Sequence, residues 1–381
     1  MIYFDNAATT KVDKDVLSAY LDILENHFAN PSSPHIFAKD AENILNKARK
    51  QILRFLGFPE TYRIIMTSGA TEANNIALTG YVLANLNRGN HIITSKYEHS
   101  SILATMKNLE ENYGVHVDYV DIDQNGHADI NQIDKLINDK TILVSIMGVN
   151  NEIGARNDIG KIAKVCHKHK NVMFHSDCSQ SISKVENEYG ACDMLTVSSH
   201  KIYGFKGCGC LILKSTIQIH PLVYGGGQEE GLRSGTNDVA NAVALAVAVR
   251  KGCQNLKTNY AKTKVLFDHL YNYLKEHSDE YEVNSFKDNS PYIMNFSLKN
   301  KKASVLTEAL SMKDIMVSTS SACSTKKESG SLSVKTLGKS QQLVENTIRV
   351  SFSKDSTIEE LDKFIHVLDE TVGGIRSWRN C

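Results

Sequence analysis

Residues 67–72 combine small and hydroxyl-bearing side chains in a way that suits the binding of a phosphate group. The segment reads Thr-Ser-Gly-Ala-Thr-Glu and joins an apolar, strand-like run to a helical pattern. Such a junction presents free backbone N–H groups and a hydroxyl at the positive end of a helix dipole. A strand-to-helix turn capped by Thr71, with no ligand, is the alternative that this segment alone leaves open.

Two further polar clusters follow apolar strands and add a carboxylate and an amine. Asp177 lies in His-Ser-Asp-Cys-Ser-Gln at residues 175–180, and Lys201 lies in Ser-Ser-His-Lys-Ile-Tyr-Gly at residues 198–204. Ligand sites of open α/β sheets lie at the carboxyl ends of strands. A lysine placed there can form a Schiff base with a carbonyl group, and an aspartate can face a protonated heterocyclic nitrogen or cap a helix.

The elements that position these groups alternate between short apolar runs and helical patterns, which predicts an α/β domain with a mainly parallel sheet. The predicted strands cover residues 63–67, 91–94, 115–120, 141–148, 172–176, 194–197 and 209–213. The predicted helices between them cover residues 72–86, 101–113 and 159–169. In the last helix of the chain, Ser356 and Glu359 have the spacing of a capping box.

The pattern changes after a pair of long helices predicted at about residues 237–275. Strand-like pieces are separated there by shorter helices, and the chain is too long for one compact core. We therefore expect a large domain of residues 14–255 and a smaller domain made of residues 1–13 and 256–381.

Bulk composition disfavours several classes of function. Lys and Arg together number 43, as do Asp and Glu, so there is no charge excess to neutralise a nucleic acid or an anionic membrane. The first residues lack the features of a signal peptide and no stretch is long and apolar enough to span a bilayer, so we expect a cytosolic protein. The eight cysteines form no CxxC pair, which argues against a disulfide framework and a metal site; Cys208 and Cys210 are expected to pack in the core.

Together with further short motifs, the polar clusters resemble a known enzyme family. The chain is similar to the fold-type-I pyridoxal-phosphate enzymes, within them to class V, and within class V to the NifS/IscS-like cysteine desulfurases. The motifs that carry this resemblance lie in family order at residues 3–10, 30–33, 67–75, 98–99, 149–154, 199–204, 233–236 and 321–324. The resemblance implies an α/β transferase with a large cofactor-binding domain and a smaller C-terminal α/β domain.

The resemblance also implies a role for each matching residue around pyridoxal 5′-phosphate. Lys201 corresponds to the lysine that forms the Schiff base and shuttles protons, and His99 to the residue that stacks on the ring and moves protons. Asp177 corresponds to the partner of the ring nitrogen, and Gln180 to the donor for the phenol oxygen O3′. The implied phosphate contacts are Ala70, Thr71, Ser198, His200 and, from the other subunit of a homodimer, Thr236.

Three residues are implied to act on the substrate, L-cysteine. Arg349 corresponds to the clamp for the substrate carboxylate, with Asn151 beside it and next to the cofactor. Cys323 lies in a polar stretch with two nearby lysines, where a thiol is expected to be exposed and easily ionised. The resemblance makes Cys323 the nucleophile that takes the sulfur as a persulfide, while L-alanine is released.

Two features depart from the family pattern. Cys178 and Ser179 stand between the aspartate and the glutamine, where relatives have small residues, and we expect the additional thiol to fill space. The sequence also ends soon after Trp378, whereas IscS-type members have a longer tail implicated in docking the iron–sulfur scaffold. We therefore expect the sulfur acceptor to be a tRNA-thiolation or thiamine-pathway enzyme, and an iron–sulfur scaffold is the third candidate.

Three other functions share parts of this sequence pattern. A class V aminotransferase has no use for a reactive cysteine, whereas a selenocysteine lyase stays open because its substrate also presents an atom that accepts a nucleophile. A non-catalytic scaffold of the same fold predicts loss of Lys201, Asp177 or Cys323, and all three are present.

Overall fold

The structure is a computed structural model that describes residues 1–319 and 330–374, so Cys323 lies outside the described residues. The strands are β1 (Ile2–Tyr3), β2 (Tyr62–Thr67), β3 (His91–Ser95), β4 (His116–Val120), β5 (Thr141–Ser145), β6 (Met173–Asp177), β7 (Met194–Ser198), β8 (Gly209–Lys214), β9 (Tyr281–Val283), β10 (Ile293–Leu298), β11 (Ile315–Met316), β12 (Ser318–Thr319) and β13 (Thr347–Ser351). The α-helices are α1 (Lys14–Asn26), α2 (Ile36–Phe55), α3 (Ala70–Asn75), α4 (Tyr81–Asn85), α5 (Ser100–Tyr113), α6 (Ile130–Leu136), α7 (Ile159–Cys166), α8 (Val239–Gln254), α9 (Leu256–Glu276), α10 (Ala303–Met312), α11 (Leu332–Thr336), α12 (Gln341–Glu345) and α13 (Ile358–Gly374).

A seven-stranded sheet in the order β2-β8-β7-β6-β5-β3-β4 forms the centre of the molecule. Its strands are parallel except β8, which pairs antiparallel with both β2 and β7. Strands such as β5 and β7 are buried along their whole length, as expected where helices cover both faces of a sheet. The predicted mainly parallel α/β fold is therefore confirmed.

Successive residues of the central strands point into two different cores. Ile64 and Met66 of β2 belong to the core that contains α1, α2, α7 and α8, whereas Ile65 belongs to the core formed with α3, α4 and α5. This follows from the two-residue period of side chains along a strand. Apolar cores thus cover both faces of the sheet, and polar groups can reach it only at its edges.

A second sheet in the order β12-β13-β10-β9 is antiparallel and has a separate core. That core contains residues of α9, α10 and α13 together with Ile2 and Phe4 from the start of the chain, because β1 pairs with β11. The separate cores support the proposed division into residues 14–255 and residues 1–13 with 256–381, whose boundaries stay a prediction.

The capping box predicted for the last helix is displaced by one residue. Thr357 Oγ1 accepts from the N–H of Glu360 at 3.2 Å, and Glu360 Oε2 accepts from the N–H of Thr357 at 3.1 Å. The predicted cap, Ser356, is buried and accepts instead from the N–H of Ser353 at 2.9 Å. The prediction with Ser356 and Glu359 was therefore wrong, because two overlapping segments satisfy the same spacing.

The segment predicted as one helix at residues 72–86 is an α-helix interrupted by a π-helical turn, Ile76–Gly80. The turn is buried throughout, and a Cβ at Gly80 would lie 2.9 Å from the carbonyl oxygen of His220. Within residues 1–319 and 330–374, none of the helices has the length and apolar character that a bilayer crossing requires.

Candidate active site

Asp177 ends β6 and presents a buried carboxylate at the carboxyl edge of the central sheet. Its Oδ1 accepts from the backbone N–H of Ser179 at 2.9 Å and from the Ser179 hydroxyl at 2.6 Å, and its Oδ2 accepts from Asn74 Nδ2 at 2.8 Å. All of these donors are neutral, and among the described residues no cation lies within salt-bridge distance. A buried carboxylate in this state is stabilised by a cationic ligand group.

A buried chain of hydrogen bonds joins Asp177 to His99. Asn74 Nδ2 also donates to Ser101 Oγ at 2.9 Å, and Ser101 Oγ lies 2.9 Å from Nδ1 of His99. The same Nδ1 accepts from the backbone N–H of Ser101 at 3.2 Å, as His99 caps α5. Nδ1 is therefore the acceptor, and the proton of the neutral imidazole is on Nε2.

Lys201 and Gln180 meet at the backbone of the N-terminal segment. Lys201, at the end of the short 3-10 helix Ser199–Lys201 that follows β7, donates from Nζ to the carbonyl oxygens of Ala7 at 2.5 Å and Ala8 at 2.7 Å. Gln180 Nε2 donates to the same Ala7 oxygen at 2.8 Å. The start of the chain thus forms one wall of the site.

The predicted phosphate cup lies where β2 passes into α3. Gly69 has φ +148°, and Ala70 and Thr71 begin the helix, where backbone N–H groups have no acceptor within the helix. A Cβ at Gly209 on the neighbouring strand would lie 2.8 Å from Gly69 Cα. The glycine at position 209 therefore lets the two backbones approach closely enough to form the cup.

Ser198 and His200 flank the lysine on the next strand. Ser198 ends β7 and is buried, and His200 Nδ1 lies 3.2 Å from Thr9 Oγ1. Burial, and then the charges of nearby lysines, lower the pKa of His200 to about 4. The imidazole is therefore neutral near pH 7 and has one N–H to donate to an anion.

Thr236 lies at a different wall from the other predicted phosphate contacts. It lines a cavity of about 240 Å³ together with Thr67 and Ser68. The segment is attached to the phosphate cup through Arg233, whose Nε donates to Glu72 Oε1 at 2.7 Å. The contribution of Thr236 to the site of a second subunit stays a prediction.

Arg349 lies on β13 of the second sheet and is buried, with 6% of its surface exposed. One terminal nitrogen donates to the backbone oxygen of Asn151 at 2.9 Å, and the other donates to Asp5 Oδ1 at 2.9 Å. Within the described residues its buried Nε has no acceptor. The predicted pair, Arg349 and Asn151, is therefore in contact, through the main chain of Asn151, and one guanidinium donor is left for an anion.

The chain on both sides of residues 320–329 is attached next to this arginine. Ser318 pairs with Arg349 in the β12–β13 register. On the other side, the backbone N–H of Ser333 and the hydroxyl of Ser331 both donate to Oε2 of Glu152. The described chain on both sides of residues 320–329 therefore lies near Arg349 and the adjacent residues Asn151 and Glu152.

Glu98, immediately before His99, has an unusual protonation state. Its Oε1 accepts from Ser95 Oγ at 2.6 Å and from the N–H of Met147 at 3.0 Å, whereas Oε2 is buried without a partner in the described chain. Burial raises the pKa of Glu98 to about 8. The carboxyl group is therefore largely neutral at pH 7.

One group of metal-ligand side chains, His91, His116 and Asp118, lies at the amino ends of β3 and β4. Asn138 Nδ2 faces His91 Nδ1 at 3.0 Å, so the proton of this neutral imidazole is on Nε2, which faces Asp118 at 3.1 Å. These contacts describe a hydrogen-bonded histidine–aspartate pair at the opposite edge from Asp177.

Comparison with known proteins agrees with this geometry. The family model described as Aminotransferase class-V matches residues 2–364. The chain is 36% identical to a relative named cysteine desulfurase IscS from Histophilus somni (strain 129Pt), over 98% of this chain and 93% of that relative. The chain belongs to the aminotransferase class-V family.

Solved structures place this class-V chain beside NifS-like proteins. A structure described as a NifS-like protein has a TM-score of 0.88 and 31% identity, and the match covers 98% of both chains. SspA in complex with cysteine has a TM-score of 0.78 and 31% identity, over 94% of this chain and 100% of that one.

Pyridoxal 5′-phosphate, the cofactor of class-V enzymes and cysteine desulfurases, fits the groups that this chain brings together. In the part of the chain that the structure describes, the buried Asp177 carboxylate has no cation beside it, and a protonated ring nitrogen would supply one. Lys201 offers an amine at the same sheet edge, and the first turn of α3 offers unpaired N–H groups for a phosphate.

Sequence reasoning missed the residues that support this site. The role of Asn74 was not predicted, although it lies in the 67–75 motif, and neither were the roles of Ser101 and Lys184. Lys184 is a buried lysine four residues after Gln180, between the apolar residues Ile182 and Val185. A lysine in an apolar segment was the one signal that could have identified it.

Proposed function

We propose that this class-V enzyme is a pyridoxal-phosphate-dependent cysteine desulfurase, which removes sulfur from L-cysteine, releases L-alanine and holds the sulfur as a persulfide on Cys323. The carrying observation is the buried carboxylate of Asp177, which has no cation beside it among residues 1–319 and 330–374 and lies at the same sheet edge as Lys201. The chain matches cysteine desulfurases over 98% of its length. The structural likeness to SspA in complex with cysteine is consistent with this substrate.

Eight residues, in addition to Lys201, would hold the cofactor, which when bound supplies an electron sink for bonds at the substrate Cα. Asp177 would pair with the ring nitrogen, Gln180 would donate to the phenol oxygen, and His99 would stack on the ring. The proposed phosphate donors are Ala70, Thr71, Ser198, His200 and, across a two-fold interface, Thr236. Each of these roles follows from the resemblance. The buried Asp177 carboxylate and the first turn of α3 support the places proposed for the ring nitrogen and the phosphate.

Lys201 and His99 move protons in this proposal. Lys201 takes the proton from the substrate Cα, and the two carbonyl oxygens at 2.5 and 2.7 Å position its amine at the wall of the site. For His99, the bond from Ser101 to Nδ1 leaves Nε2 as the nitrogen that donates to or accepts from a reacting group. His99 therefore needs no change of tautomer before it acts.

The substrate is held by its carboxylate and attacked at its sulfur. Arg349 binds the substrate carboxylate through Nε, which has no acceptor in the described residues, and through the terminal nitrogen that otherwise donates to Asp5. Asn151 lies beside Arg349. The Cys323 thiolate then forms a bond to the substrate sulfur, and the bond from that sulfur to Cβ breaks. The electron pair of the broken bond returns to carbon and, after protonation, becomes a C–H bond of alanine.

The proposal extends to the location, the oligomeric state and the sulfur acceptor of the enzyme. We infer a cytosolic homodimer that passes its persulfide sulfur to a tRNA-thiolation or thiamine-pathway enzyme or to an iron–sulfur scaffold. The described chain on both sides of Cys323 lies near Arg349, which supports a thiol that can reach the bound substrate before it passes sulfur to a protein acceptor. Sedimentation of the purified protein tests the dimer, and an active monomer would contradict the role of Thr236.

The experiment that tests the proposed activity is incubation of the purified, cofactor-loaded protein with L-cysteine and a thiol reductant. We expect equal amounts of alanine and sulfide, measured by amino-acid analysis and a sulfide assay. Parallel incubation with L-selenocysteine distinguishes a selenocysteine lyase. A cofactor-loaded protein that releases no alanine from L-cysteine would exclude the proposed function.

A further inference from the structure

Lys184 is a buried lysine beside the active site to which the proposed function gives no role. Only 3% of its surface is exposed, and it lies in a helical turn, where its backbone N–H donates to Ser181 at 3.1 Å. Across the described parts of the chain, no carboxylate is within salt-bridge distance of its amine. A buried amine without an anion is costly to a fold, so the contacts that it does make are informative.

The amine of Lys184 holds one end of the Gln180 amide. Lys184 Nζ donates to Gln180 Oε1 at 2.8 Å, and the other end of the amide, Nε2, donates to the Ala7 oxygen at 2.8 Å. That oxygen also accepts from Lys201 Nζ at 2.5 Å. The protonated amine of Lys184 has donors and no lone pair, so while it is charged the oxygen of Gln180 faces Lys184 and the NH2 group faces the site.

The groups that face Lys184 are cationic or aromatic. The charges that act on its pKa are those of Lys201 and Arg349. Its Nζ lies 5.9 Å from the centre of the Tyr292 ring. Burial, followed by the charges of Lys201 and Arg349, lowers the pKa of Lys184 to about 7. Its charge therefore changes near pH 7.

We propose that Lys184 is a positioning residue, which fixes the amide of Gln180 so that an N–H group, and not a carbonyl oxygen, faces the phenol oxygen of bound pyridoxal phosphate. The inference rests on the proposed function, since that oxygen belongs to the cofactor. A phenolate oxygen is stabilised by a donor, whereas a reversed amide would place lone pairs against it. Without Lys184, the amide is held in this orientation only by its bond to the Ala7 oxygen, which Lys201 also uses.

The test uses Lys184→Met, Gln180→Ala and the double variant in the cofactor-loaded enzyme. The visible absorption band of the bound cofactor is titrated against pH, and pyridoxal-phosphate affinity is measured by fluorescence quenching. Loss of one hydrogen-bond donor to the charged phenol oxygen should raise the pH at the midpoint of the spectral titration by about one unit. It should also weaken the binding of pyridoxal phosphate by about tenfold. We expect both single variants to show this, and the double variant to show no further change, because the residues act through one bond.

Lys354→Met is the matched control, because Lys354 also lies over a tyrosine ring, at 4.9 Å from the centre of Tyr203, but donates to Asp13. We expect its band to titrate as in the parent. A parental midpoint and affinity in Lys184→Met, or additive effects in the double variant, would overturn the role of Lys184.

A second variant keeps the test decisive if Lys184→Met does not fold. Gln180→Glu keeps an acceptor for Lys184 but has no N–H for the phenol oxygen, so we expect the midpoint to rise, and a parental midpoint would overturn the inference. A parent protein that forms no visible band with pyridoxal phosphate would instead overturn the proposed function itself.

Discussion

Glu98→Gln is expected to make the stability of the protein less sensitive to pH. The pKa of Glu98 is raised by burial from 4.5 to about 8, so between these values the folded protein keeps a proton that the unfolded chain releases. The contribution of Glu98 to the free energy of unfolding is therefore fully present below the unfolded pKa of 4.5 and falls as the pH rises. Above about pH 8 it no longer changes. The glutamine keeps the acceptor for Ser95 and Met147 and does not titrate.

The size of the effect follows from the two pKa values. Between pH 6 and pH 8.5, the linkage relation gives a loss of about 2 to 3 kcal/mol in the parent that the Glu98→Gln variant lacks. Urea unfolding at pH 6, 7 and 8.5, on protein loaded identically with cofactor, measures this difference. Glu25→Gln, at an exposed position of α1, is the matched control and should follow the parent.

An identical pH dependence in the parent and in Glu98→Gln would refute this reasoning. It would mean that Glu98 ionises in the folded protein as readily as in the unfolded chain. The buried and unpartnered Oε2 would then have to be reached by water or by a donor.

Three further substitutions test individual groups of the site. Lys201→Ala should abolish both the stable yellow colour and alanine formation, because the Schiff base needs this amine, and parental turnover would contradict the role of Lys201. Asn74→Ala removes a donor from the buried Asp177 carboxylate and should weaken pyridoxal-phosphate binding by about 10- to 100-fold in a fluorescence titration. Arg349→Lys keeps the charge but loses the planar fork, so the KM for L-cysteine should rise by about tenfold or more while the cofactor spectrum is unchanged.

Much of the fold could be predicted from the sequence because the parallel strands are buried on both faces. Continuous apolar runs such as those of β5 and β7 are therefore visible without knowledge of their partners. Element ends were less predictable. The run at residues 141–148 leaves the sheet after Ser145, where the N–H of Gly148 donates to the carbonyl of Asp177, and this contact is visible only in three dimensions.

The candidate site was predictable where its chemistry is local and not where it depends on distant pairs. Asp177 and Lys201 follow their strands directly, so their motifs identified them. Asn74 joins Ser101 and Asp177, which are 27 and 103 residues away in sequence, and no local pattern contains that information. The contact of Arg349 with Asp5 likewise depends on the first residues of the chain, which pack against the second sheet.

The most direct measurement of the central claim is peptide mass spectrometry after reaction with L-cysteine, without reductant, in the parent and in Cys323→Ser. In the parent we expect one added sulfur atom on the peptide that contains Cys323, and not on those that contain Cys178 or Cys381. Because a hydroxyl is a far poorer nucleophile than a thiolate near neutral pH, Cys323→Ser should keep the cofactor spectrum and lose nearly all alanine formation. Near-normal alanine formation by Cys323→Ser, or a persulfide found only at another cysteine, would contradict the assignment of Cys323 as the sulfur acceptor.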